Sequence, residues 1–417
     1  MKFIHAADLH LDSPMRGLER YEGAPIEALR QATRRALQNL VDFALREEVQ
    51  LVVIAGDIYD VDWKDYNTGQ FFNQQMTRLV KQNIPVVMVR GNHDAKNVIT
   101  RSLRLPADVY DLSTKKAETI KFDGLGVAVH GRGYHEREVK IDLASSYPDA
   151  EPGMFNIGIL HTALNGRPPH GEYAPCTLDT LINKGYDYWA LGHVHQREIV
   201  NENPWIIFPG NLQGRNVRET GPKGATIVSV IDGHVSQVSH QDFDVVRWAI
   251  CTVDLQDTND MDSALDQLID QLESMADNTQ QKLVAVRLIL TGETDIHDVL
   301  MQDMERCIHD IRAAVCEKCE TIWLEKVIIS TQPRTDINAL RKRDDAIGSM
   351  LREIKRLSDQ PDQLEEFMPA FSALARKLPN EYYELPDALN LTDPVTLARL
   401  VKEAERYLLT KLRQDNS

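Results

Sequence analysis

Cysteine is scarce: Cys176, Cys251, Cys307, Cys316 and Cys319 are the five in a chain of 417 residues. So few cannot form the disulfide framework of small secreted domains, and they fit a reducing compartment. Cys316 and Cys319 make one CxxC with Cys307 nearby, but the segment before them reads as a helix. No second CxxC closes a zinc site, so the cysteines are read as incidental. No apolar run approaches twenty residues, and the chain enters a strand-like segment at once rather than a basic leader with an apolar core. A cytoplasmic protein without membrane association is therefore expected. The phosphate-binding pattern G-x-x-x-x-G-K-[ST] is also missing, since Gly221-Pro222-Lys223-Gly224 is too short to be one. Any ATP dependence must come from another chain. Basic residues are outnumbered, 47 Lys and Arg against 63 Asp and Glu, for a net charge of -16. Because nonspecific DNA affinity rests on Lys and Arg, this balance weighs against a nucleic-acid partner unless bound cations or local clusters offset it. Such clusters occur at Arg30, Arg34 and Arg35, at Arg215, Arg218 and Lys223, and at Arg341, Lys342 and Arg343. Solvated faces explain each of them equally well. No internal repeat or low-complexity tract is visible.

What is present is enough chain for one large domain and one or two small ones, with an ordinary apolar content of 42%. From Lys2 to about Phe243, short apolar runs alternate with amphipathic stretches, the pattern of a sheet-rich α/β domain. Strands are expected at Phe3 to Ala7, Leu51 to Ala55, Pro85 to Val89, Gly126 to His130, Asn156 to Leu160, Tyr188 to Leu191, Trp205 to Phe208 and Ala225 to Val230. Two helices lie between the early strands: one carries Leu29, Ala32, Ala36, Leu40, Phe43 and Ala44 on one face, and the other runs from about Tyr66 to Val80. Later strands are joined by Gly, Pro and Asn turns, so two stacked sheets with outer helices satisfy both halves.

After Phe243 the order is a strand (Arg247 to Val253), a helix, a strand (Leu283 to Leu290), a helix over about Ile296 to Val315, and a strand (Thr321 to Ile329). This is a compact α+β module. Beyond Pro333 only helices are expected. One carries Ile347, Leu351, Ile354 and Leu357; the last is capped by Thr392 or Asp393, with Pro394 in its first turn and a stripe of Leu397, Leu400, Val401, Ala404 and Leu408. The expected domains are 1–245, 246–332 and 333–417.

Five segments place metal-type ligands directly after an apolar strand: Asp8-Leu9-His10, Gly56-Asp57-Ile58-Tyr59-Asp60, Gly91-Asn92-His93-Asp94, His161, and Gly192-His193-Val194-His195. Strand ends at one sheet edge bring distant positions into one crevice, and the glycines let backbone turn close to ions. Mixed carboxylate, imidazole and amide donors suit manganese, iron or zinc better than an all-oxygen or all-thiolate site would. If two ions sit together, one carboxylate must bridge them, and Asp57 is the natural choice. Asp94 is expected to support its turn or a neighbouring histidine. His5, His130, His135, His170 and His240 read as structural or surface residues, with His135 and His170 the two to revisit.

The series D-x-H, G-D-x-x-D, G-N-H-D, H, G-H-x-H resembles the calcineurin-like metallophosphoesterase superfamily over about the first 245 residues. The opening Phe3-Ile4-His5-Ala6-Ala7-Asp8-Leu9-His10-Leu11-Asp12-Ser13-Pro14 and the stretch from Pro209 to Gly224 are similar to the SbcD-type DNA-repair exonucleases, and among these to a YhaO-like bacterial branch. The resemblance implies a two-sheet β-sandwich flanked by helices, then a small α+β capping domain and a helical C-terminal region. It also implies that Asp8, His10, Asp57 and His195 hold one divalent ion, and that Asp57, Asn92, His161 and His193 hold another, most naturally Mn2+. It leaves His93 to assist the leaving oxygen and Asp60 to orient His93. DNA is the implied substrate, and among the basic clusters Arg215, Arg218 and Lys223 are the candidate contacts to it. The implied partner is a coiled-coil ATPase related to chromosome-maintenance (SMC-like) proteins, docked through the helices of 333–417, and a homodimer through the phosphoesterase domain is compatible with the family.

The alternative is a small-molecule phosphodiesterase or nucleotidase, which the acidity favours and the extra domains disfavour. A protein phosphatase is disfavoured because Val61 rather than arginine follows Asp60, and Asp94 stands where that branch has Glu. A scaffold on a decayed site is disfavoured because every ligand position is filled.

Overall fold

The structure is a computed structural model, and it describes residues 1–13, 23–60, 66–96, 104–164, 174–277, 279, 282–334, 337–360, 364, 368–378, 382, 389–391 and 393–414. Pro14, Val61, His170 and Thr392 lie outside the described residues. Two compact units emerge, one spanning Met1–Met15 with Pro25–Trp248 and the other Arg16–Ala24 with Ala249–Ser417.

The first unit contains β1 (Lys2–Ala6), α1 (Ile26–Arg46), β2 (Leu51–Ala55), α2 (Tyr66–Val80), β3 (Val86–Val89), β4 (Val109–Asp111), β5 (Glu118–Phe122), β6 (Val127–Gly131), β7 (Phe155–His161), α3 (Leu178–Asn183), β8 (Tyr188–Gly192), β9 (Glu198–Glu202), β10 (Trp205–Phe208), β11 (Gly224–Ile231) and β12 (His234–Asp242). They form two six-stranded sheets, ordered β12-β11-β1-β2-β3-β4 and β5-β6-β7-β8-β10-β9. Strands β1 to β4 run parallel, as do β6, β7, β8 and β10.

Leu51, Val53 and Ala55 face the second sheet and pack with Val129, Ile157, Ile159 and Ala190. Val52 and Ile54 face the helices and pack with Ala36, Leu40 and Phe72. Burial on both faces explains the unbroken apolar run of β2. The far face of the second sheet is covered by Leu181, Tyr186 and Tyr147, which pack on Trp189 and Ile206. The architecture is the expected sandwich of two sheets flanked by helices. Four strands and one helix lack the signal used to find the others. The clearest case is β12, which pairs antiparallel with β11 after an Asp232-Gly233 turn whose φ values are 50° and 76°. Its sequence HVSQVSHQD is largely polar because, as an edge strand, it buries little.

In the second unit, β13 (Val246–Asp254), which starts in the first unit, pairs beside β14 (Leu283–Thr291) and β16 (Ile322–Ile329), with α4 (Met261–Asp277) packed on this sheet. A short pair joins β15 (Glu293–Thr294) to β17 (Gln332–Pro333). The single helix expected over Ile296 to Val315 is two, α5 (His297–Gln302) and α6 (Met304–Lys318). Asp303 divides them, its carboxylate accepting from Arg306 N at 3.1 Å as the N-cap of α6. Apolar spacing runs through the break, so periodicity alone hides it.

The remaining helices are α7 (Ile337–Arg341), α8 (Ala346–Asp359), α9 (Met368–Ala375) and α10 (Pro394–Gln414). Asp393 caps α10, accepting from Thr396 N at 2.9 Å, and Leu397 is buried. The stripe then surfaces: Leu400 and Val401 are half-buried, and Ala404 and Leu408 are exposed. Among the described residues, no helix is long and apolar enough to cross a membrane. All five cysteines are free.

Candidate metal centre

Because β1, β2, β3, β7 and β8 each run parallel to a neighbour in register, the chain leaves all five at the C-terminal edge of the sandwich. That edge receives Asp8 and His10 after β1, Asp57 and Asp60 after β2, Asn92 and His93 after β3, His161 at the end of β7, and His193 and His195 after β8. Asp8, His10, Asp57 and His193 all have positive φ, at 52°, 42°, 50° and 100°. Such backbone costs about 1–3 kcal/mol per non-glycine residue and persists where the surroundings over-determine it. Here they do: Asp8 N donates to Gly56 O and His10 N to Asp57 O, each at 3.0 Å. His193 N donates to the Asp8 carboxylate at 3.0 Å, and His93 N to Asp57 Oδ1 at 2.9 Å. The glycines permit this closeness. A Cβ on Gly91 would strike the Asp57 carboxylate, and one on Gly192 would strike the Ala55 carbonyl oxygen.

The predicted ligands form two groups, and His10 also converges with Asp60 and His93. Asp8, His10 and His195 converge on one side, with His10 Nε2 3.2 Å from His195 Nε2. On the other, Asp57, His161 and His193 converge, and Asn92 Oδ1 lies 2.9 Å from His161 Nε2 and 3.2 Å from His193 Nδ1. Asp57 Oδ2 stands 3.8 Å from His10 Nε2 and 3.5 Å from His161 Nε2, between the groups. All seven residues predicted as ligands are thus brought together.

The electrostatics of this cluster fit cations. Burial and the neighbouring Asp57 push the Asp8 carboxyl above its ordinary range. Burial pushes His10 and His161 below the ordinary imidazole range, so both rings are neutral donors. Imidazole nitrogens facing one another across about 3 Å, beside crowded buried carboxylates, are an arrangement that divalent ions relieve.

Three histidines of the site are held by the nitrogen that does not face the cluster, the arrangement that orients metal-site histidines. His161 Nδ1 meets Ala55 O at 2.9 Å, His195 Nδ1 meets Glu219 Oε1 at 2.6 Å, and His93 Nδ1 meets Asp60 Oδ1 at 2.7 Å. The His161 side chain is 0% exposed, whereas His195 and His93 are 25% and 26% exposed. Burial alone would lower the pKa of His93, but the Asp60 bond and the Asp57 and Asp60 charges raise it above the ordinary value. Asp60 is held below its ordinary range: burial opposes this, but bonds from His93 and Ser13 and the charge of Arg215 outweigh it. Ser13 Oγ donates to Asp60 at 2.6 Å.

Asp94 supports the turn. Its carboxylate accepts from Ile58 N, Tyr59 N and Gly91 N, each at 3.0 Å, tying the segments after β2 and β3 together.

The residues expected to contact DNA need correction. Lys223 is buried, its ammonium donating to His195 O at 2.9 Å, so it faces the protein and not a phosphate. Arg215 is also turned inward, reaching Glu219 Oε1 at 3.1 Å and Asp60 Oδ2 at 3.6 Å. Only Arg218 of the three is exposed. Conversely, Glu219, Asn211 and Ser13 enter the site's support without having been singled out. The one available hint was the Arg215-to-Glu219 spacing inside the Pro209-to-Gly224 stretch.

Of the histidines set aside, His5 and His130 are buried, His135 is exposed beside Glu136 at 3.0 Å, and His240 pairs with Asp242 at 3.5 Å.

The chain is similar to known proteins over most of its length. Residues 1–197 match the calcineurin-like phosphoesterase family, and residues 248–332 match the family described as the middle domain of metallophosphoesterase YhaO. The uncharacterized metallophosphoesterase YhaO of Bacillus subtilis (strain 168) is 31% identical over 371 residues, covering 88% of this chain and 89% of that protein. Among solved structures, a dimetal phosphatase from Danio rerio is 15% identical, with TM-score 0.36, over 56% of this chain and 93% of that one. TT1561 of Thermus thermophilus is 12% identical, with TM-score 0.33, over 57% of this chain and 98% of that one.

Proposed function

The chain belongs to the calcineurin-like metallophosphoesterases, hydrolases of phosphoester bonds, and from that premise we propose that it is a two-metal DNA phosphodiesterase, an exo- or endonuclease of the SbcD type. The observation that carries the phosphodiester chemistry is the pairing of a convergent seven-residue donor set with a partly exposed, carboxylate-backed His93 at its rim. Two divalent cations, Mn2+ by the resemblance and of a kind that the mixed donor chemistry suits, would be held by Asp8, His10 and His195 and by Asn92, His161 and His193, with Asp57 shared, and would activate water and neutralise phosphoryl charge. The Asp60 carboxylate accepts from His93 Nδ1, so Nε2 is the nitrogen left to protonate the departing sugar oxygen. No covalent intermediate with the chain is involved.

DNA as substrate is supported by the motif-level similarity of Phe3 to Pro14 and Pro209 to Gly224 to SbcD-type nucleases, and by the α+β module read as a capping domain. A coiled-coil, SMC-like ATPase is the proposed partner of the C-terminal helices. The exposed Val395, Tyr407 and Leu408 of α10 support that placement. The small-molecule alternative is favoured by a specific observation: Arg215 and Lys223, two of the three basic residues expected to meet DNA, face carboxylates and a carbonyl of the chain itself.

Degradation of end-labelled duplex and single-stranded DNA with added Mn2+ separates the two. We expect DNA cleavage by the wild type and a fall of about 10²–10⁴ in kcat for His93→Ala, with metal uptake unchanged. Intact DNA, both alone and with the ATPase, beside His93-dependent cleavage of a small phosphodiester, would establish the alternative.

A further inference from the structure

We propose that Glu219 is the positioning residue of His195, selecting the tautomer in which Nε2 can bind a metal ion; this rests on the two-metal reading above. His195 differs from His161 in what surrounds it. The His161 ring is fully buried at the end of a strand and its Nδ1 abuts a backbone carbonyl, so the fold itself fixes both orientation and tautomer. His195 lies beyond the end of β8, a quarter exposed, and its Nδ1 has two side-chain neighbours of opposite character. Glu219 Oε1, an acceptor, is at 2.6 Å, and Arg215 Nη2, a donor, is at 3.3 Å.

The two neighbours demand different tautomers. A carboxylate requires Nδ1–H and leaves the Nε2 lone pair facing His10 Nε2 and the Asp8 carboxylate, 3.2 and 3.8 Å away. Arginine alone would require an Nδ1 lone pair, which puts the proton on Nε2 and closes the ring to a metal. Glu219 therefore decides the matter, and it is itself immobilised. Oε1 also accepts from Arg215 Nη2 at 3.1 Å, while Oε2 accepts from Asn211 Nδ2 at 2.9 Å and from Arg215 N at 2.7 Å. The four acceptor positions of the carboxylate are thereby filled, three of them by donors that fix it and one by the imidazole it fixes. Arg215 is the anchor of this arrangement.

Calorimetric titration of the full chain with Mn2+ tests the idea, comparing the wild type with Glu219→Leu and Glu219→Gln. The wild type is expected to take up two ions. Glu219→Leu should weaken one of them about 10- to 100-fold and leave the other unchanged, the range found when a metal ligand loses its partner. Glu219→Gln keeps a carbonyl acceptor for Nδ1–H and should recover part of that loss, a rescue that a purely structural role for Glu219 would not produce. If Glu219→Leu unfolds the chain, Glu219→Gln against the wild type still reads the selective weakening of one ion. Two intact affinities in both variants, or equal weakening of both ions, would overturn the inference. A wild type that binds no Mn2+ would overturn the two-metal reading and this inference together, whereas intact wild-type binding with unaffected variants overturns this one alone.

Discussion

The interior of the β-strands and their C-terminal edge both contain buried histidines, and the two regions treat them differently. In the interior, both nitrogens of each ring are engaged within the chain. His5 Nδ1 meets Tyr188 Oη at 2.9 Å and Nε2 meets Leu191 O at 3.0 Å; His130 meets Thr119 Oγ1 at 2.8 Å and Asn156 Oδ1 at 3.0 Å. At the edge, one nitrogen of His93, His161 and His195 is tethered to a carbonyl or carboxylate oxygen and the other faces the crevice; for His161 that nitrogen lies 2.9 Å from Asn92 Oδ1, itself a predicted ligand. An imidazole with both nitrogens engaged is a cross-link, here joining the two sheets in the case of His5. With one nitrogen presented, it is a reagent. The backbone makes the same division: among Asp8, His10, Asp57 and His193 positive φ is the rule, while the strands themselves stay extended.

The edge should be the more sensitive region to small steric change. Gly192→Ala places a methyl group against the Ala55 carbonyl, the group that holds His161 Nδ1. A misplacement of about 1 Å in a reacting constellation costs roughly a hundredfold in rate. We therefore expect a loss of about that size in phosphodiester kcat, accompanied by weaker uptake of the ion on the His161 side. An unchanged rate would mean that the edge tolerates movement, and would remove the ground for treating its backbone as over-determined.

A smaller effect is expected where the edge is tied by a side chain that meets no reactant. Asp94→Asn leaves one carboxamide oxygen and an NH2 group to face the N–H donors of Ile58, Tyr59 and Gly91. Leaving buried donors without an acceptor costs about 1–3 kcal/mol. Denaturant unfolding should show that loss, and the rate should fall less than in Gly192→Ala. A rate loss without a stability loss would instead put Asp94 in direct contact with the chemistry.

The edge was legible in the sequence for a physical reason. Each ligand follows a fully buried apolar run, and such a run fixes where a parallel strand ends, so Asp8, Asp57, Asn92, His161 and His193 announce themselves by position. Glu219 follows no strand. Its role is set by where the 209–223 loop lies beside His195, which no local pattern encodes. Arg215 and Lys223 show the same blindness from the other side, since a cluster of basic residues looks alike in sequence whether it faces solvent or a buried carboxylate. The split of one expected helix at Asp303 and the polar strand His234–Asp242 are further cases in which a cap or an edge position overrides periodicity.

The interior histidine offers the last and gentlest test. Burial pushes His5 down to about 3 from an ordinary 6.5, against the smaller effect of its bond to Leu191 O. The folded chain therefore excludes a proton that the unfolded chain accepts. Stability from this group is complete above pH 6.5 and is lost as the pH falls below it toward 3. The slope approaches about 1.4 kcal/mol per pH unit in the middle of that window. His5→Gln keeps one donor and one acceptor for Tyr188 and Leu191 but has no proton to gain, so its stability should decline less steeply over the same range. Unfolding curves at closely spaced pH values read the difference in slope directly. Parallel curves for the two proteins would mean that His5 takes up its proton without breaking the cross-link, and the contrast between an engaged interior ring and a presenting edge ring would then rest on geometry alone.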